Sequence, residues 1–240
     1  MNAPGSTALA LLLAGTAEAD DLGGYLTRLL RFDKAAAVRV VAVGTTVGVY
    51  GQPPFDVLTL RTLALAEAAP DVDITVSAGD LLHAIAPDGG LPLPRPLAGA
   101  TAWTGFLPPR AGWQPVGELP IAEVEAAALA GIAAFKERAE AIPDRERTRA
   151  AVDRVAAEIW DRPLDHGLSV RVAHAARAMA FLGPTGTGTG SETGTGSETG
   201  AGASGEAATA TAAVRSAGRW LRLDARYGTV VVRTGSGLLP

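Results

Sequence analysis

The sequence predicts an α+β fold: a small antiparallel β-rich N-terminal unit, then a three-helix unit with a terminal β-hairpin. Three observations carry this. Residues 38–76 are rich in β-branched residues and alternate apolar with polar. Between residues 121 and 182 apolar residues recur three times at helical spacing. Two further alternating segments, Arg219 to Leu223 and Tyr227 to Arg233, close the chain.

Residues 1–19 form an N-terminal segment. Its apolar run, Ala8 to Ala14, is too short to span a bilayer. The first basic residue is Arg28, so the segment lacks the positive start of a secretory signal and is expected to pack on the body. Residues 20–86 are the β-rich unit. Asp20 or Asp21 suits a helix N-cap, and Leu22, Tyr25, Leu26, Leu29 and Leu30 form an apolar stripe. Val38 to Val43, Gly44-Thr45-Thr46 and Val47 to Tyr50 then read as a hairpin. Phe55 to Leu65 and Asp71 to Val76 read as two further strands. Ser77 with Asp80 resembles a capping box and opens a short helix.

Residues 87–120 hold eight of the sixteen prolines together with Trp103, Phe106 and Trp113. Prolines favour extended backbone, and aromatics seldom sit idle in solvent, so this arm is expected to lie across a neighbouring surface. Three helices fill 121–182. Pro120 suits the first turn of one, Asp144 caps the next, and Gly167 or Ser169 begins the third, which stops at Gly183-Pro184. Residues 183–210 are a flexible linker: TGSETG occurs twice in succession, and up to 207 no side chain exceeds Glu. Nothing there offsets an ordering entropy of about 1–2 kcal/mol per residue. Residues 211–234 form the terminal hairpin.

Composition narrows function mainly by exclusion. No cysteine is present, which removes disulfides, thiol catalysis and Cys-type metal sites and fits a cytoplasmic setting. Gly200, Gly202 and Gly205 match a dinucleotide fingerprint, yet a polar repeat precedes them where the motif needs a strand, so no cofactor is assigned. Asp80 and His83 share a helix face and Asp165 adjoins His166, without metal-ligand spacing or a nucleophile elbow. No catalytic, cofactor-binding or metal-binding residue is assigned. Those four groups are the candidates if the chain is an enzyme.

Charge is distributed unevenly. Residues 1–167 carry 14 basic and 21 acidic groups, residues 168–240 carry 7 and 4. Arg171, His174 and Arg177 lie opposite the apolar stripe of the third helix. Arg219, Arg222, Arg226 and Arg233 mark the hairpin. A basic third helix followed by an arginine-rich hairpin has the order of a winged helix, so these seven residues are the candidate nucleic-acid contacts. Against that stand the long linker and the lack of Asn, Gln or Lys for base edges.

Ala175 to Gly183 (AARAMAFLG), Gly218 to Tyr227 (GRWLRLDARY) and Leu29 to Val40 (LLRFDKAAAVRV) resemble an uncharacterised family of conserved hypothetical proteins from GC-rich, actinobacterial-type bacteria. The resemblance implies a cytoplasmic bacterial protein and no established activity. The primary expectation is a non-enzymatic interaction or scaffold protein with a protein partner and no membrane. A DNA-associated winged-helix-like protein is the second reading, and an enzyme of unrecognised type the third.

Overall fold

A computed structural model of the chain describes residues 9–98, 106–183 and 210–234. Most of the 183–210 linker, with its glycine motif, lies outside the described residues, as does Trp103. The chain divides into two compact units, Met1–Leu107 and Pro108–Pro240. The boundary falls inside the proline-rich arm. The chain is α+β, and its described strands pair antiparallel.

The first unit comprises β1 (Ala10–Leu12), α1 (Thr16–Phe32), β2 (Ala37–Gly51), β3 (Leu58–Ser77), α2 (Ala78–Ala84) and β4 (Gly90–Pro92). Its frame is the β2–β3 hairpin, with Ala37 opposite Ser77 and Gly51 opposite Thr59. This corrects the expected hairpin at Gly44. Gly44 has φ of 57° and sits at a register shift within one continuous strand, so it bends β2 without ending it. The two expected strands, Phe55 to Leu65 and Asp71 to Val76, likewise fall in one strand, which begins only at Leu58 after a turn over 54–56. Pro70, which lacks a ladder donor, lies where the register slips and therefore does not terminate β3.

Helix α1 begins at Thr16, earlier than Asp20, and buries Leu22, Tyr25, Leu26 and Leu29. Tyr25 shares a hydrogen bond of 2.9 Å with the Thr59 hydroxyl. Burial raises the Tyr25 phenol above its ordinary pKa, and the Thr59 bond offsets only part of this. An added Cβ on Gly51 would stand 2.5 Å from the Tyr25 hydroxyl and 2.9 Å from Leu29, so only glycine admits the helix this close. The α2 cap is as expected: Ser77 Oγ accepts from the Asp80 N–H at 3.2 Å. The first part of the arm does cover a neighbouring surface. β4 pairs with β1, and the Leu97 N–H donates to Thr75 O at 2.9 Å.

The second unit contains β5 (Gln114–Pro120), α3 (Ile121–Glu140), α4 (Arg149–Trp160), α5 (Val170–Ala178), β6 (Thr211–Ala217), β7 (Trp220–Ala225) and β8 (Gly228–Arg233). Its strands form a meander in the order β5-β6-β7-β8. The terminal hairpin is therefore half of a four-stranded meander, completed by β6 and by a strand drawn from the proline-rich arm. Cross-strand partners share a face. Val214, Leu223 and Val230 form one such row, and all three are buried.

Two helix boundaries differ from expectation. Thr148, and not Asp144, caps α4, its hydroxyl accepting from the Ala151 N–H at 3.2 Å. Asp144 instead opens a short 3-10 turn after Pro143. Helix α5 ends at Ala178, because Ala180 takes φ of 58° and the chain turns back. Phe181 then lies on the sheet, where Gly228 leaves room for its ring and Phe181 O accepts from the Tyr227 N–H.

Candidate interaction surfaces

Helix α5 is the most enclosed helix of the second unit. Val170, Val172, Ala173, Ala175 and Ala176 are buried, and no residue from Val170 to Ala178 is exposed. Its basic residues face other elements of the same unit. Arg171 pairs with Asp161 at 2.6 Å, its side chain only 18% exposed. Arg177 Nε lies 3.4 Å from a carboxylate oxygen of Glu125 on α3. His174 stacks on Trp160 with centroids 4.5 Å apart, and Trp160 meets Phe135 in turn. Burial, and secondarily the neighbouring Arg177, hold His174 below its ordinary pKa, so it is largely neutral at pH 7. A helix with no exposed residue has no free face to lay in a groove.

The hairpin arginines are placed differently. Arg219 and Arg226 lie at the two ends of β7 and are exposed. Arg226 sits over Tyr227, and Arg233 over Trp220 at 6.0 Å. Arg222 lies 4.5 Å over the Trp113 ring and 2.9 Å from Asp224. The same carboxylate receives Arg215, which sequence reasoning left out of the candidate set, at 3.2 Å. Period-two spacing does place Arg215 and Ser216 on opposite faces, but nothing in the sequence reveals that β6 and β7 set Arg215 opposite Arg222.

The two remaining histidine candidates contact backbone carbonyls. His83 Nδ1 donates to Gly79 O at 2.7 Å, one turn back on α2. His166 lies over Gly117, with Nε2 3.3 Å from Glu118 O. Among the described residues no three His, Asp or Glu side chains gather at metal-binding distance. An open cavity of about 660 Å³ lies between the end of α3 and α4, floored by Ile142, Ala151 and Val155 and bordered by the Arg138–Glu158 ion pair.

The second surface is α3 itself. From Ala126 to Phe135 it carries no charged residue. One side is satisfied: Val124, Ala128 and Gly131 are buried, and an added Cβ at Gly131 would stand 2.8 Å from Val170 and 2.9 Å from Trp160. The other side is not. Leu129 is 46% exposed and Ile132 38%, and Ala122, Ala126, Ala130 and Ala133 are exposed beside them. At 3.6 residues per turn, Ala122, Ala126, Leu129 and Ala133 fall within an arc of about 60°. A surface helix ordinarily turns charge to solvent; between its charged ends, Glu123 and Lys136 onward, this one turns alanine, leucine and isoleucine.

Residues 108–237 match a family described as Domain of unknown function (DUF8185), and the chain belongs to that family. Residues 6–105 match a second model, Domain of unknown function (DUF8010), so the two matches lie in the two compact units. No curated protein matches the chain. Among solved structures it is similar to a DNA polymerase sliding clamp from Caulobacter crescentus, at 12% identity and a TM-score of 0.49, over 97% of this chain and 67% of that one. The DNA polymerase III beta subunits from Pseudomonas aeruginosa (12%, 0.46, 97% and 66%) and Thermotoga maritima (12%, 0.47, 97% and 66%) are similar in the same measure. The chain thus spans about two thirds of the length of these clamp proteins.

Proposed function

We propose that this protein is a non-enzymatic interaction protein that docks a partner protein on the exposed face of α3. The observation that carries the reading is the charge-free span Ala126–Phe135, which leaves Leu129 and Ile132 in solvent on a 20-residue helix. Fully burying such side chains is worth about 1.5–3 kcal/mol each. Contiguous apolar surface of this kind is used for protein contacts far more readily than it is left open. The partner is a protein that offers an apolar groove or helix face, because α3 presents neither charges nor hydrogen-bonding side chains along the span.

The test compares native assemblies. Protein isolated from its natural host is sized as the wild type, as Leu129→Asp with Ile132→Asp, and as a control, Arg145→Glu with Arg149→Glu. The docking reading expects a discrete heteromeric complex for wild type and control, lost in the α3 variant. Three identical elution profiles would remove it.

A further inference from the structure

We infer that the outer face of the β5–β8 sheet is a second binding site, one for single-stranded nucleic acid. A phosphate would lie on the solvent side of the Arg215–Arg222 pair, away from Asp224, and bases would stack beside it on the tryptophan–arginine pairs. The site is distinct from the α3 face and does not depend on the docking reading.

Sheet register is the starting point. Arg215 on β6 stands directly opposite Arg222 on β7, which stands opposite Val231 on β8. Like charges facing each other across a ladder destabilise it unless an anion lies between them. Here one carboxylate serves both: Asp224 is 3.2 Å from Arg215 and 2.9 Å from Arg222, and also accepts from the Thr229 hydroxyl at 2.8 Å. Two guanidiniums against one carboxylate leave a positive charge on the pair. Arg215 is 42% exposed and Arg222 24%, so a ligand can reach them.

Aromatic rings flank the pair on the same face. Trp220 is two residues from Arg222 along β7, a row spacing of about 6.8 Å, and Arg233 stands opposite it with its guanidinium 6.0 Å from the ring. Trp113, just before β5, lies 4.5 Å below the Arg222 guanidinium. Each tryptophan thus has a guanidinium within cation–π distance, and such tryptophan–arginine pairs are groups on which a nucleobase can stack. Across β5–β8 (residues 114–120 and 211–234) five arginines face two carboxylates, Asp224 and Glu118, a net of +3 (5 − 2), with exposed Arg219 and Arg226 at the two ends of β7.

These features choose among anionic ligands. An acidic peptide would answer the charge and leave the rings unused. A duplex hides its base faces in its own stack. A single strand offers phosphates and free base faces together, the combination that stacking platforms recognise.

The experiment is fluorescence anisotropy of a labelled thymidine oligonucleotide of about 20 residues with the full chain, repeated over a salt series. Binding is expected in the range of roughly 1–100 µM at low salt, falling steeply as salt rises. Arg215→Gln with Arg222→Gln should weaken it at least tenfold, as should Trp220→Ala. Arg145→Glu with Arg149→Glu, a larger charge change elsewhere on the unit, should leave it within twofold. If circular dichroism shows the Arg215/Arg222 variant unfolded, Arg219→Gln with Arg233→Gln carries the same expectation of a loss. No binding at low salt would overturn the inference. So would wild-type affinity in the sheet variants, an equal loss in the control, or poly-glutamate of the same length competing as well as the oligonucleotide.

Discussion

At residue scale, His174 shows what surrounds one of the candidates. Its position opposite an apolar stripe made it a nucleic-acid contact in the sequence; in the structure its ring lies on Trp160 and its pKa is lowered. The unfolded chain, with its imidazole near pH 6.5, takes up the proton first. The stabilisation from His174 is therefore complete above that value and is lost as pH falls below it toward the lowered folded value. Urea denaturation of the wild type should show stability falling between pH 7.5 and 5, and His174→Gln should flatten that slope. Equal slopes would contradict the assignment. Two glycines give a second comparison. A methyl on Gly228 would stand 2.4 Å from the Phe181 ring, which is 2% exposed and has nowhere to move. A methyl on Gly117 would meet His166 at 2.3 Å, but that ring is exposed and can swing away. Gly228→Ala should cost about 1–3 kcal/mol in chemical denaturation and Gly117→Ala clearly less.

At the scale of elements, the two proposed surfaces predict opposite behaviour. Leu129→Asp and Ile132→Asp alter exposed positions and should leave stability within about 0.5 kcal/mol, because α3 is held by Val124, Ala128 and Gly131. A large loss in thermal denaturation would make these side chains core residues and not a docking face. Asp224→Asn leaves Arg215 and Arg222 facing each other without their shared carboxylate. It should destabilise the sheet by about 1 kcal/mol at low salt and by less at high salt. Element types were largely legible, since the stripe of α1, the Ser77 cap and the alternation of β7 and β8 are local properties. The errors came where one local signal served another purpose. Gly44 signalled a turn and made a bulge, and the break expected between Leu65 and Asp71 fell inside one strand at a register slip. Asp144 had the chemistry of a cap, but Thr148 stands where α4 begins.

At the scale of the whole molecule, the fold class was legible because each long element repeats one period for long enough to be read. The candidate site was legible only in part, because a site is a matter of which strands and helices meet. The charge asymmetry marked the C-terminal residues correctly as arginine-rich. It could not show that Arg171 and Arg177 meet Asp161 and Glu125 inside the helical layer, while Arg215, Arg222 and Arg233 share a sheet face with Trp113 and Trp220. Nor did the apolar stripe of α3 reveal that Ile132 lies outside the buried side. Among the described residues no helix is long and apolar enough to cross a membrane, so the apolar face of α3 is not part of a spanning helix. Docking on α3 is tested most directly by a photo-crosslinking amino acid placed at Leu129 in the natural host, with the same group at Arg149, 95% exposed on α4, as the reference. The account predicts one discrete protein adduct from position 129 and none from 149. Equal adducts at both positions, or none at 129, would contradict it.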